Sequence, residues 1–231
     1  MRRRMEAMRS FDSRHRQGSR TPRTMEILLL NGHPEPDGLC ADLTDAYVTA
    51  ARAHASVRRI DLYKLRFDPV LRRDAARQPL EPDLADAAEA LLTARHVTWI
   101  FPCWWSATPA LVKGFVDRVF TAGFAFRYRG RHQQPERLLA GRSARVICSM
   151  DSPGFWYRWV QGRPLHKSFV QGTLGFVGFA PIATRFVYEA RFLDASRRAR
   201  TLASVAADAA ADVRALRRPE RSGTRPLRLA G

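Results

Sequence analysis

From Glu26 onward the chain alternates short apolar runs with amphipathic segments, a pattern that leaves little choice of fold. Residues 27–30 are a continuous apolar run ended by Asn31-Gly32, the mark of a strand buried on both faces. A helix is expected over 39–54, with Leu43, Ala46, Tyr47 and Ala50 at helical spacing and Asp37 available as its cap. Strands are predicted at 57–62, 97–101, 144–150 and 181–188. Helices are predicted at 83–95, 109–121, 165–177 and 196–216. Strand and helix alternating in this way specify an α/β domain, an open parallel sheet covered by helices on both faces. Ligands of such sheets bind beyond the carboxyl ends of the strands, so the informative residues should follow the first, third and fourth strands.

The formal charge of +17 sits largely in the ends. Residues 1–24 carry eight Arg against Glu6 and Asp12, and residues 214–231 carry six Arg against Glu220. Arg, Ser, Pro and Gly bury too little apolar area to offset ordering entropy, so 1–24 is expected to be a disordered arm and 218–231 a disordered basic tail around a domain at 25–217. Met25, just before the first strand, makes the arm a candidate over-extension of the start site. Only three of the 39 basic residues are Lys, a bias in the manner of genome composition, and a nucleic-acid partner is set aside. No stretch approaches the roughly 18 apolar residues of a membrane span. Cys40, Cys103 and Cys148 form no C-x-x-C pair, which argues against a disulfide framework and a zinc site, and for a reducing, cytoplasmic setting without metal.

Three loops carry the chemistry. After strand one, Asn31-Gly32-His33-Pro34-Glu35-Pro36-Asp37-Gly38-Leu39-Cys40 turns into a helix, the geometry of a phosphate site. It has neither a P-loop nor a G-x-G-x-x-G pattern. After strand three come Pro102, Cys103, Trp104 and Trp105. Adjacent tryptophans cannot both point into one interior, and a planar aromatic ligand accounts for them. Phe124, Phe126 and Tyr128 add aromatic surface further on. After strand four runs Ser149-Met150-Asp151-Ser152-Pro153-Gly154, leading to Trp156, Tyr157 and Trp159, which also read as an aromatic dimer patch.

The run W-x-x-x-P-A-L-x-K-G-x-x-D-R-V-F followed by F-A-F-x-Y, within residues 102–128, resembles the signature of the NAD(P)H:quinone oxidoreductase family, and G-H-P-x-P at 32–36 is similar to its flavin-phosphate loop. The resemblance covers about residues 25–190. It implies a flavodoxin-like doubly wound sheet of five strands in order 2-1-3-4-5, FAD (alternatively FMN), NAD(P)H as co-substrate, and a homodimer with its site at the interface. The implied reaction is ping-pong transfer of two electrons to a quinone or similar flat acceptor. By the same resemblance His33, Asp37, Gly38, Leu39 and Cys40 face the flavin phosphate, and Pro102, Cys103, Trp104 and Trp105 bracket the ring. Met150, Asp151, Ser152 and Gly154 form the third flavin loop, while Phe126 and Tyr128 wall the substrate pocket. Tyr157 is the implied hydrogen-bonding tyrosine, with Arg163 or His166 nearest to a following histidine that has no counterpart in register.

The chain departs from the family at Gly38-Leu39-Cys40, where Ser-x-Asn is common, and at the third loop, where Thr-Thr-Gly-Gly is common. A carboxylate at Asp151 opposes an anionic reduced flavin unless it points away. The alternative function is a non-enzymatic flavodoxin-like regulatory subunit of a membrane transport system, distinguished by tight flavin binding without turnover.

Overall fold

The computed structural model describes residues 26–73, 78–130 and 133–218. The arm at 1–24, the tail beyond Arg218 and His132 lie outside the described residues. Strand β1 (Ile27–Asn31) is buried along its whole length. Its side chains alternate: Ile27 and Leu29 enter one apolar cluster, Leu28 and Leu30 another. A run apolar at every position is what a strand with two covered faces requires.

Around β1 the parallel sheet adds β2 (Val57–Asp61), β3 (His96–Pro102), β6 (Ser143–Ser149) and β7 (Ile182–Val187) in the order β2-β1-β3-β6-β7. Counting only the strands of this sheet, that is the expected 2-1-3-4-5. Helices α1 (Leu39–Arg52) and α5 (Ala195–Arg217) cover one face, burying Leu43, Tyr47, Val205 and Ala209 against Ile27, Leu29, Ile100 and Ile147. Helices α2 (Pro82–Thr93), α3 (Ala110–Val119) and α4 (His166–Gly175) cover the other, around Trp99, Phe101 and Val146. No helix among the described residues is long and apolar enough to cross a membrane.

The structure departs from the sequence reading in three places. Asp37 does not cap α1: the N-cap is Gly38 at φ 96°, with no side-chain cap bond. A second sheet pairs β4 (Phe126–Arg127) with β5 (Glu136–Arg137), strands too short for alternation to reveal. Helix α4 is wound as a π-helix, and so is the turn Trp156–Val160, which the sequence reading left partly as loop.

A buried polar cluster pins the far end of the sheet. Arg145 grips Asp212 through two bonds of 2.6 and 2.8 Å, and the Tyr47 hydroxyl donates to the same carboxylate at 2.8 Å. His96 Nε2 lies 3.3 Å from it, its Nδ1 2.8 Å from Ser143 Oγ. His96 and Ser143 open β3 and β6, so this cluster lies at the end opposite the loops that carry ligand chemistry.

Candidate active site

Asn31, fully buried at the end of β1, organises the first loop. Its amide donates to Asp61 Oδ1 at 3.0 Å, and its Oδ1 accepts the His33 N–H at 3.2 Å. Burial alone would raise the Asp61 pKa, but hydrogen bonds from Asn31 and Arg59 hold the carboxyl below its ordinary value. The His33 ring is held by Glu35, whose N–H lies 3.0 Å and whose C=O lies 3.2 Å from Nδ1, leaving Nε2 outside this turn. Gly32 has no room for a side chain, since a Cβ there would come within 2.2 Å of Val112 Cγ2 in α3. Gly32→Ala should therefore cost about 1–3 kcal/mol in urea unfolding, and pairing it with Val112→Ala should recover most of that. An unchanged midpoint in the single variant would contradict the packing.

With no side chain at the cap, the first intrahelical bond of α1 joins Asp42 N–H to Gly38 C=O. The amides of Leu39, Cys40 and Ala41 have no partner within the helix, so the positive end of a 14-residue helix opens beside His33. Arg198 in α5, bonded to Asp42 in the first turn of α1, brings a guanidinium to the same end. Nothing in the sequence pattern singled out Arg198, because the contact joins residues 156 apart. Cys40 is buried with its Sγ 3.6 Å from Ser149 Oγ, and burial pushes its thiol up to about 11 against the lowering effect of that bond.

The second loop is a tight turn in which Trp104 N–H and Ala107 C=O, and Ala107 N–H and Trp104 C=O, bond at 3.0 and 2.9 Å. Both central residues are left-handed, Trp105 at φ 51° and Ser106 at φ 62°, where Asn-Gly is the usual choice. Each non-glycine residue held there costs roughly 1–2 kcal/mol, and the Trp105 side chain is 100% exposed, recovering none of it by burial. Trp104 meets His33 edge to face, ring centroids 6.0 Å apart, so the first two loops touch. The third joins them through Cys103 N–H to Ser149 C=O at 2.7 Å. A hydrogen bond from Cys148 lowers the Cys103 thiol, and burial raises that of Cys148. Pro102 and Met150 are buried.

Asp151 is paired with Arg191. Arg191 holds it by its backbone N–H at 3.0 Å and its guanidinium at 2.7 and 2.9 Å, lowering its pKa and matching its charge. Ser152 and Gly154 lie on the same loop, and Gly154 runs against the Tyr188 ring, where a Cβ would come within 3.1 Å. Tyr157 is 1% exposed, unlike Trp156 at 45% and Trp159 at 83%. It is thus not part of the exposed aromatic patch with them. Its ring packs 5.2 Å from Phe186, and its hydroxyl accepts the His166 N–H at 3.1 Å. Burial pushes the phenol up to about 12. Arg163 is exposed at φ 57°, and His166 is lowered by burial and by the charge of Arg163.

Phe126 and Tyr128 do not join this group within one chain. Helix α3 runs back from the end of β3, and the hairpin it reaches is tied at Leu138–Ala125 and Leu139–Val177, just before β6 begins. There Phe126 packs on Tyr128 and Phe176, with Tyr128 64% exposed.

The fold that carries these three loops has counterparts among known proteins. A family model described as a flavodoxin-like fold, Flavodoxin_2, matches residues 25–213. The chain belongs to this flavodoxin-like family. An uncharacterized NAD(P)H oxidoreductase, YcaK of Escherichia coli (strain K12), is 31% identical over 107 residues, covering 43% of this chain and 55% of that protein. The chain thus spans just over half the length of that relative. The ribosyldihydronicotinamide dehydrogenase [quinone] of Pongo abelii is 26% identical over 189 residues, 71% of this chain and 81% of the relative. Among solved structures, Smu.1420 from Streptococcus mutans UA159 superposes with a TM-score of 0.72 at 29% identity, covering 80% of this chain and 98% of that one.

Proposed function

We propose that this chain is a flavin-dependent NAD(P)H oxidoreductase that reduces quinones or similar flat acceptors. The observation that carries the reading is the convergence of the uncapped α1 N-terminus, the His33 ring and the strained, fully exposed Trp105 at one edge of a flavodoxin-like sheet. The donor set fits a flavin: the free amides at Leu39 to Ala41, with His33 and Arg198, suit its phosphate, and Trp104 and Trp105 suit its ring. FAD is the preferred flavin and FMN the alternative. When bound, it supplies two-electron hydride chemistry between NAD(P)H and acceptor, which take turns in one slot.

The residues of the chain hold and shield the ring. Trp105 stacks; the backbone of Pro102 to Trp104 and of Ser152 to Gly154 borders the edge. Arg191 keeps the Asp151 charge from opposing a ring that gains negative charge. The Tyr128 and Phe176 surface at the opposite end of the sheet completes a pocket when a second copy lays its hairpin over the Trp104–Trp105 loop, so the site belongs to a homodimer. Exposed Phe155, Trp156 and Trp159 suit the same association. The relatives named above are oxidoreductases, and nothing in the site favours a transport-regulatory subunit instead.

The test is a visible absorption spectrum of the purified protein, with extraction and identification of its flavin and turnover of NAD(P)H with a quinone. A folded protein that takes up neither FAD nor FMN in excess would sink the reading. Trp105→Ala should weaken flavin retention by about threefold to tenfold, the loss of an aromatic stack worth about 0.5–1.5 kcal/mol. Fluorescence titration measures it.

A further inference from the structure

The edge of the sheet away from β2 carries a cleft that the proposed flavin site does not use. It encloses about 420 Å³ between the outer edge of β7, the first turns of α5 and Gly154 of the third loop. Helix α5 presents Arg197, Arg200, Thr201 and Ser204 to it, residues three and four apart and so on one face. From the strand side come Arg185 and the Tyr188 ring. Met150 N–H bonds to Val187 C=O, which directs the backbone N–H and C=O of the neighbouring Phe186 away from β6, toward the cleft side.

The charge in this cleft is in excess on the positive side. Arg185 is held by Asp208, and Arg197 lies 3.6 Å from Glu189, the one carboxylate in the lining. Arg200 bonds to Ser196 Oγ and has no carboxylate within ion-pair distance among the described residues. Arginine near a flat aromatic wall selects ligands that are both anionic and planar. The cleft and the third loop share a wall, because Gly154 lies directly against Tyr188.

We propose that this cleft holds the 2′-phosphoadenosine half of NADPH, with Arg197 and Arg200 on the 2′-phosphate, so that the enzyme prefers NADPH to NADH. The inference rests on the flavin-dependent reading above. The two reductants differ only in that phosphate, and a guanidinium pair distinguishes a dianion from a hydroxyl by charge-assisted hydrogen bonds. The cleft borders the third flavin loop, so a nicotinamide over the flavin ring and an adenosine in the cleft belong to one extended molecule.

Calorimetric titration of adenosine 2′,5′-bisphosphate and adenosine 5′-monophosphate into the flavin-loaded protein tests it. The bisphosphate should bind about tenfold to a hundredfold more tightly. Arg197→Gln/Arg200→Gln should bring the two affinities within about threefold, and the ratio of kcat/KM for NADPH over NADH should fall by a similar factor. The melting temperature shows that the double variant is folded, and Arg200→Gln alone serves if it is not. Equal affinities in the wild type, or an undiminished preference in the folded variant, would overturn the proposal. A protein that holds flavin and oxidises both nicotinamides equally would overturn this inference and leave the functional reading standing. Bisphosphate preference in a protein that never takes up flavin would overturn the functional reading and keep the cleft as an anion site.

Discussion

Asp212→Ala should destabilise the fold by about 3–5 kcal/mol, the usual cost of removing one partner from a buried ion pair. Asp212 is 7% exposed and its carboxylate receives Arg145 twice and Tyr47 once, so its loss leaves the phenol without this acceptor and the guanidinium with only Asp208, 3.3 Å away. Burial works against the charge, yet the bonds from Arg145 and the contact with His96 bring the Asp212 pKa from 3.8 down to about 2. A depressed carboxylate stabilises the fold above its unfolded value and loses that contribution as pH falls through the folded one. Acid sensitivity between about pH 4 and pH 2 should therefore be blunted in the variant. Urea unfolding at neutral pH measures the first effect, and a pH series on wild type and variant the second. A cost below about 1 kcal/mol would mean that the cluster is replaceable packing.

The sheet was legible because its evidence is local. The run at 27–30, the helical spacing of Leu43, Tyr47 and Ala50, and Pro109 at the start of α3 each follow from a few neighbouring residues. The loops at the carboxyl edge were legible for a different reason, since the topology fixes where each strand ends and the adjacent tryptophans stand out as composition. What could not be read is what depends on distant partners. The Arg191–Asp151 pair joins residues 40 apart, and the Arg145–Asp212 pair spans 67. Asp37 read as a cap because its residue type suits one; the backbone put Gly38 there instead, and the empty cap is what leaves the α1 amides available. Phe126 and Tyr128 were assigned to the substrate pocket by the resemblance; α3 carries the chain toward the other end of the sheet, so their part in the pocket rests on the proposed second copy.

Tyr157→Phe should slow reduction by NAD(P)H by about tenfold to a hundredfold, and the structure separates that effect from a second one. The ring stays in place between Phe186 and Tyr188 in the variant, so flavin affinity should change little. The hydroxyl has two duties. It accepts the His166 N–H that opens α4, and losing that acceptor should cost about 1–3 kcal/mol of stability. Its own proton remains to be donated, and the proposed recipient is the flavin edge bordered by the third loop. There the bond strengthens as negative charge develops, a charge-assisted contribution of about 1.5–3 kcal/mol to the barrier. Burial, which pushes the phenol up to about 12, keeps that proton in place at physiological pH. Thermal melting reads the first duty; stopped-flow reduction at saturating nicotinamide and full flavin occupancy reads the second. A variant that melts earlier yet is reduced at the wild-type rate would reduce Tyr157 to an anchor for α4 and move the stabilising donors to the backbone of the third loop.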